Sequence, residues 1–86
     1  MHELSLAQEV CRIAEERVGR DALPGVRRVG VDVGDDANVE VESLRFCLEV
    51  LLAEPPFAHA APVIERMAGD VLRVSYLEVD DGCPDD

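Results

Sequence analysis

The sequence predicts an α+β fold, with two helices packed on one face of a small three-stranded mixed sheet. Apolar residues recur at helical spacing in two separate segments. One segment between the helices and two segments after them are rich in valine and partly alternate between apolar and polar residues. The elements therefore follow the order helix, strand, helix, strand, strand. A strand–helix–strand unit favours a parallel pair, and the last strand then completes a mixed sheet.

The first helix is predicted over residues 4–18, because its apolar residues return every three or four positions and its other side is charged. Gly19 is a plausible stop, and Leu23-Pro24-Gly25 forms a loop. The stripe of this helix consists of Leu4, Ala7, Cys11, Ala14 and Val18.

The first strand is predicted from Val26 to Val33, where valines alternate with residues of other kinds. Val29, Val31 and Val33 share one face, and the opposite face is expected to be wet. Residues 34–38, rich in glycine, aspartate and asparagine, form the turn that ends the strand.

The second helix begins near Val41 and ends before Pro55-Pro56. Its apolar stripe follows the i, i+3, i+4, i+7 spacing of a helix face. The stripe consists of Leu44, Cys47, Leu48 and Leu51.

Val63–Met67 and Val71–Val79 are predicted as two strands of a hairpin, turned by residues 68–70. A right-handed crossover leaves two strand orders open, with the last strand in the centre of the sheet or at an edge. We favour the centre, because residues 71–79 form the longest and most apolar of the three strands.

Composition and net charge indicate which kinds of partner this protein can bind. The chain has 86 residues and a net charge of −11. Such a charge disfavours nucleic acid and an anionic membrane as partners, and favours a metal cation or a basic protein surface. No apolar run approaches the length of a membrane span, and no secretory signal is recognisable, so a cytoplasmic protein is expected. We predict one domain over residues 1–79 and a disordered acidic tail over residues 80–86.

The three cysteines, Cys11, Cys47 and Cys83, form no CxxC pair, so neither a zinc site nor a disulfide framework is predicted. Cys11 and Cys47 are expected to be buried, and Cys83 to be an exposed thiol. The sequence has no phosphate loop and no arrangement of Ser, His and Asp typical of a hydrolase, so no enzymatic activity is expected.

A metal site is predicted at the N-terminus. The α-amine of Met1, the backbone nitrogen of His2 and its ring Nδ1 can close small chelate rings around one ion. A planar set of nitrogen donors suits Ni(II) or Cu(II). Neutral imidazole is the form that binds, so binding should weaken in acid. The alternative is that His2 is an ordinary exposed residue at a frayed terminus.

Several segments, in the same order along the chain, resemble the HypA/HybF family of nickel-insertion proteins of [NiFe]-hydrogenase maturation. The resemblance covers nearly all of residues 1–79. The matching segments are Met-His-Glu-Leu-Ser-Leu-Ala at 1–7, Val-Asp-Val-Gly at 31–34, Glu-Val-Glu-Ser-Leu-Arg-Phe at 40–46, Ile-Glu-Arg-Met-Ala-Gly at 64–69 and Leu-Arg-Val at 72–74.

The resemblance implies a nickel metallochaperone without catalysis of its own. Such a protein acts with a GTPase accessory protein and delivers Ni(II) to the hydrogenase large subunit, and some members also serve urease. It also implies a nickel site formed by the Met1 amine and His2, with Glu3 and Glu40 as nearby carboxylates. The alternatives are that Glu3 only interacts with a helix dipole, that Glu40 only opens the second helix, and that His59 is a solvated loop residue.

One departure from the family is large. The family inserts a zinc-binding module with two CxxC pairs between the last two strands, where this chain has only residues 68–70. The four cysteines are absent, so roles of that module are not carried over. This leaves a second interpretation, an adaptor or regulatory protein that kept the fold within a maturation complex. Self-association through the open face of the small sheet is a further expectation.

Overall fold

The computed structural model describes residues 3–80. It confirms the predicted order of helices and strands and adds a short 3-10 helix over Arg20–Gly25 before the first strand. The helices are α1 (Glu3–Val18) and α2 (Val41–Leu52), and the strands are β1 (Val26–Gly34), β2 (Ala61–Met67) and β3 (Leu72–Val79). Met1, His2 and the acidic tail after Asp80 lie outside the described residues.

The sheet is mixed, as predicted, and its strand order is β2-β1-β3. Strand β1 pairs in parallel with β2, from Arg28 opposite Ala61 to Gly34 opposite Met67. It pairs antiparallel with β3 on its other side. Both sheet neighbours of the central strand therefore come from the C-terminal half of the chain.

The predicted hairpin is wrong, and so is the central position favoured for the last strand. Strands β2 and β3 both pair with β1 and not with each other. The central strand is the most buried one, since residues 29–34 of β1 are all buried, whereas Val74 is the only buried residue of β3. The valines of β3 had suggested burial that the strand does not have.

The connection between β2 and β3 crosses the C-terminal end of β1 instead of making a tight turn. Backbone N–H groups there donate to the connection, from Gly34 to Val71 O at 2.6 Å and from Asp35 to Met67 O at 2.7 Å. A Cβ on Gly34 would lie 2.0 Å from the carbonyl oxygen of Gly69, so only glycine fits beneath the crossing chain.

The core lies between the sheet and the two helices. Each helix packs one row of buried apolar side chains against the sheet, and the valines of β1 belong to the same core cluster as both rows. Cys11 and Cys47 are only partly buried at the margin of this core. The buried stripes comprise Leu6, Ala7, Val10 and Ala14 of α1 and Val41, Leu44, Leu48 and Leu52 of α2.

The face of the sheet opposite the helices carries ion pairs. Asp32, expected on the wet side, is 5% exposed and accepts a hydrogen bond from Arg73 Nε at 2.9 Å. A buried carboxylate requires such a partner, because desolvation of an unpaired charge is costly. None of the helices within residues 3–80 is long and apolar enough to cross a membrane.

Candidate metal centre

The C-terminal end of β1 and the N-termini of both helices meet at one edge of the domain. Glu3 is the first residue of α1, and Glu40 is the residue directly before α2. With Asp35 and Asn38 they line an open cleft of about 420 Å³. Two of the four predicted site residues therefore lie in one cleft, although they are 37 positions apart in the sequence.

Glu3 and Glu40 are joined by a hydrogen bond. The backbone N–H of Glu40 donates to Oε2 of Glu3 at 3.0 Å. The side chain of Glu40 in turn accepts from the backbone N–H of Ser43 at 3.4 Å and caps α2. The predicted alternative that Glu40 opens the second helix therefore describes a contact that is present. Both carboxylates lie at helix N-termini, where negative charge is favourable.

The loop between β1 and α2 also lines the cleft. Asn38 adopts a left-handed conformation with φ of 62°, which asparagine tolerates better than most residues. Arg66 donates from Nε and Nη2 to the Oδ1 of Asp35, both at 3.2 Å. The loop is thus fixed to β2 as well as to β1.

Met1 and His2, the predicted nitrogen ligands, precede Glu3 in the chain and lie outside the described residues. Among residues 3–80, no three His, Cys, Asp or Glu side chains lie close enough together to hold a metal ion. The cleft itself offers carboxylate and amide oxygens, which are harder donors than the imidazole and amine nitrogens that suit Ni(II).

His59 lies at the other end of β1. It lines a separate cleft of about 500 Å³ together with Arg27 and Arg28. Its backbone has φ of 72°, and its N–H donates to Leu52 O at 3.1 Å. The nine residues of β1 separate the two clefts by about 25 Å at the usual rise of a strand. The structure therefore does not bring His59 to Glu3 and Glu40.

Cys11 is partly buried at the margin of the core. Burial raises the pKa of the Cys11 thiol to about 11. The thiol is therefore protonated at neutral pH, and a protonated thiol is neither a nucleophile nor a good metal ligand.

Asp35 and Asn38 line the cleft but were not predicted as site residues. The composition of residues 34–38 indicated a turn, but not that the turn would lie beside the start of the first helix. That proximity depends on how α1 packs against α2, and it has no local signal.

A family model and named relatives agree on which known proteins this chain is similar to. Residues 1–73 match the family model described as hydrogenase/urease nickel incorporation, metallochaperone, hypA. The hydrogenase maturation factor HypA of Azoarcus sp. (strain BH72) is 42% identical over 69 residues, which are 80% of this chain and 60% of that protein.

Two further relatives carry the same name. The protein of Alkalilimnicola ehrlichii is 31% identical over 91 residues, which cover 99% of this chain and 80% of that protein. The protein of Azotobacter chroococcum mcd 1 is 41% identical over 51 residues, which are 59% of this chain and 45% of the relative. The chain thus spans 60% or less of the length of two of these three relatives.

Proposed function

Since this chain belongs to the HypA family of nickel incorporation proteins, we propose that it is a metallochaperone-like protein that assists Ni(II) insertion during [NiFe]-hydrogenase maturation. The observation that carries the proposal is the family match over residues 1–73, which begins at Met1 and includes the predicted chelating pair. Nickel is the cargo in this proposal, and the chain performs no catalysis.

The proposed site binds one Ni(II) through the Met1 amine, the backbone nitrogen of His2 and His2 Nδ1. These donors suit a square-planar divalent ion. The proposal requires the amine of Met1 to be free, because an additional residue before it would turn that amine into an amide.

Glu3 and Glu40 have a supporting role in the proposal. His2 is bonded directly to Glu3, and Glu3 is held against the start of α2 by its hydrogen bond from Glu40 N–H at 3.0 Å. That bond limits how far the start of α1 can move from α2. The two carboxylates also supply negative charge near the cation, as outer-sphere groups or as a fifth ligand.

The proposed partners follow from the family and from the charge of the chain. They are a GTPase accessory protein and the hydrogenase large subunit. A net charge of −11 is favourable for association with a basic surface and for collecting a divalent cation.

Calorimetric titration of Ni(II) into the untagged chain tests the proposal. We expect one ion per chain for the native sequence and loss of that binding in His2→Ala. His59→Asn is the matched control, since it removes the other histidine and asparagine tolerates the positive φ of 72° at that position.

Nickel uptake by His2→Ala and by His59→Asn should differ if the proposed site binds nickel, and should not differ if the protein is only an adaptor. Normal uptake by His59→Asn and no uptake by His2→Ala would support the site. Equal nickel uptake by His2→Ala and the native chain would refute it, and the adaptor interpretation would then be preferred.

A further inference from the structure

The two outer strands of the sheet differ as edges. Strand β2 contains Pro62, which lacks a backbone N–H and therefore weakens pairing with any additional strand. Strand β3 contains no proline. It carries three of the six exposed large apolar side chains found among residues 3–80, namely Leu72, Tyr76 and Val79. Proline therefore disfavours a fourth strand at the β2 edge but not at the β3 edge.

A bulge in β3 brings a basic residue of its first half and an acidic residue of its second half to the same face of the sheet. Tyr76 lies opposite Gly30 and Val74 lies opposite Val31, so Ser75 is the additional residue. Arg73 and Glu78 are five positions apart and would lie on opposite faces of a regular strand. The additional residue brings both to the open face of the sheet.

Ion pairs confirm that Arg73 and Glu78 share the open face. Arg73 pairs with Asp32 at 2.9 Å, and Glu78 pairs with Arg28, and both partners belong to the same side of β1. On the other face, Val74 is buried in the core and Leu77 packs against it.

We propose that β3 pairs antiparallel with β3 of a second copy of this chain, giving a continuous six-stranded sheet. In this register Arg73 lies opposite Glu78 of the second copy, and Leu72 lies opposite its Val79. Val74 lies opposite Leu77 of the second copy, so every charged side chain faces its opposite and every core-facing side chain faces another apolar one.

The register extends an existing row of charges. Asp32 and Arg73 of one copy would continue into Glu78 and Arg28 of the other, with signs alternating across the strands. Cross-strand pairs of opposite charge stabilise a sheet, and like charges would destabilise it. The charge pattern thus favours a second copy over an arbitrary strand.

The expected dimer is weak. A single pair of strands buries less area than a stable interface of about 1,600 Å² in total. The net charge of −11 on each copy adds repulsion, which physiological salt screens over about 8 Å. Association should therefore depend on concentration.

Sedimentation equilibrium of the untagged, metal-free chain tests the proposal, over about 10 µM to about 1 mM to cover weak affinities. The variant is Leu72→Lys, which places a charge at the end of the β3 edge. The matched control is Val50→Lys on the solvent side of α2. Leu72 and Val50 are 38% and 44% exposed, and each substitution adds one positive charge.

We expect the mean mass of the native chain and of Val50→Lys to rise towards that of two chains, and Leu72→Lys to remain a single chain. A native chain that stays monomeric over the whole range would overturn the proposal. So would association of Leu72→Lys equal to that of the native chain, or loss of association in Val50→Lys.

Hydrogen exchange provides a test that needs no variant. At high concentration, amides of β3 that face the open edge should exchange more slowly, and those of β2 should be unchanged. Slower exchange in β2 alone, or no change in β3, would contradict the proposed pairing.

Discussion

The two ends of the central strand β1 differ in the chain segments and in the charged side chains that lie beside them. At its C-terminal end β1 runs beneath a crossing chain, beside the start of both helices and the carboxylates of Glu3 and Glu40. At its N-terminal end it lies beside His59, Arg27 and Arg28. The carboxylates favour a cation at the first end, whereas at the second end each arginine is paired with an acidic side chain, Arg27 with Asp80 and Arg28 with Glu78.

The residues that could contact a metal ion differ between the two ends of β1. The chain has two histidines, and the described one, His59, lies at the end with two arginines. The carboxylate pair lies at the opposite end, where the helix that follows His2 begins. The imidazole of His59 and the carboxylates of Glu3 and Glu40 therefore cannot contact the same ion.

Replacing the glycines at the two ends of β1 by alanine should change the free energy of unfolding most at the C-terminal end. A Cβ on Gly34 would lie 2.0 Å from Gly69 O, and a Cβ on Gly25 would lie 2.8 Å from Asp80 O. We expect Gly34→Ala to lower the free energy of unfolding by about 3 kcal/mol, because the Cβ would also lie 2.5 Å from Val71 N, and both atoms belong to the backbone of the crossing chain. Gly25→Ala has one backbone contact under 3.0 Å and should cost about 1 kcal/mol, since reduced flexibility of the unfolded chain offsets part of this milder clash.

Urea unfolding followed by circular dichroism measures both changes. Equal destabilisation by the two substitutions would mean that the crossing chain yields as easily as the residues beside Gly25. The C-terminal end of β1 would then be no more tightly constrained than the N-terminal end.

Removal of the helix cap at Glu40 should lower the free energy of unfolding less than Gly34→Ala does and more than the loss of the Arg27–Asp80 ion pair does. Glu40→Ala removes the acceptor of the Ser43 N–H and should lower the free energy of unfolding by about 1 kcal/mol. Glu42→Ala is the control, because it removes a charge from the same helical turn without removing the cap. The same urea titration compares the two, and an equal loss in both variants would assign the effect to charge and not to capping.

The ion pair at the N-terminal end should matter least for stability. Arg27 and Asp80 are 3.1 Å apart, but their side chains are 63% and 51% exposed. We expect Arg27→Gln to change the free energy of unfolding by less than about 0.5 kcal/mol, with a smaller change at high salt. A loss comparable to that of Glu40→Ala would show that this end contributes more to stability than its exposure indicates.

The sequence predicted the elements of the fold well and their arrangement in part. The periodicity of residues 4–18 and the alternation of residues 26–33 are local signals, and both elements are present. The sequence around β2 and β3 does not determine that both strands pair with β1. A short connection between them suits either a hairpin or a chain that crosses the end of β1. Gly34 is the residue that permits the crossing, and its role depends on Gly69, which is distant in sequence.

The candidate site could be predicted only as separate residues. The resemblance to the family named Glu3 and Glu40, and the structure joins them by a hydrogen bond. Asp35 and Asn38 were missed as residues of the cleft, since no sequence pattern reports which loop lies beside a helix start. Cys11 and Cys47 were expected to be buried but are only partly so, because the apolar stripe of a helix is wider than its contact with the core.

The most direct test of the proposed nickel site is the number of Ni(II) ions bound per chain at equilibrium dialysis, with the Met1 amine free and with it acetylated. We expect one ion for the free terminus and none at the same free nickel concentration for the acetylated chain, because acetylation converts the Met1 amine into an amide and supplies no new amine. Equal binding by both chains would contradict the proposed ligands, and nickel would then have to bind elsewhere.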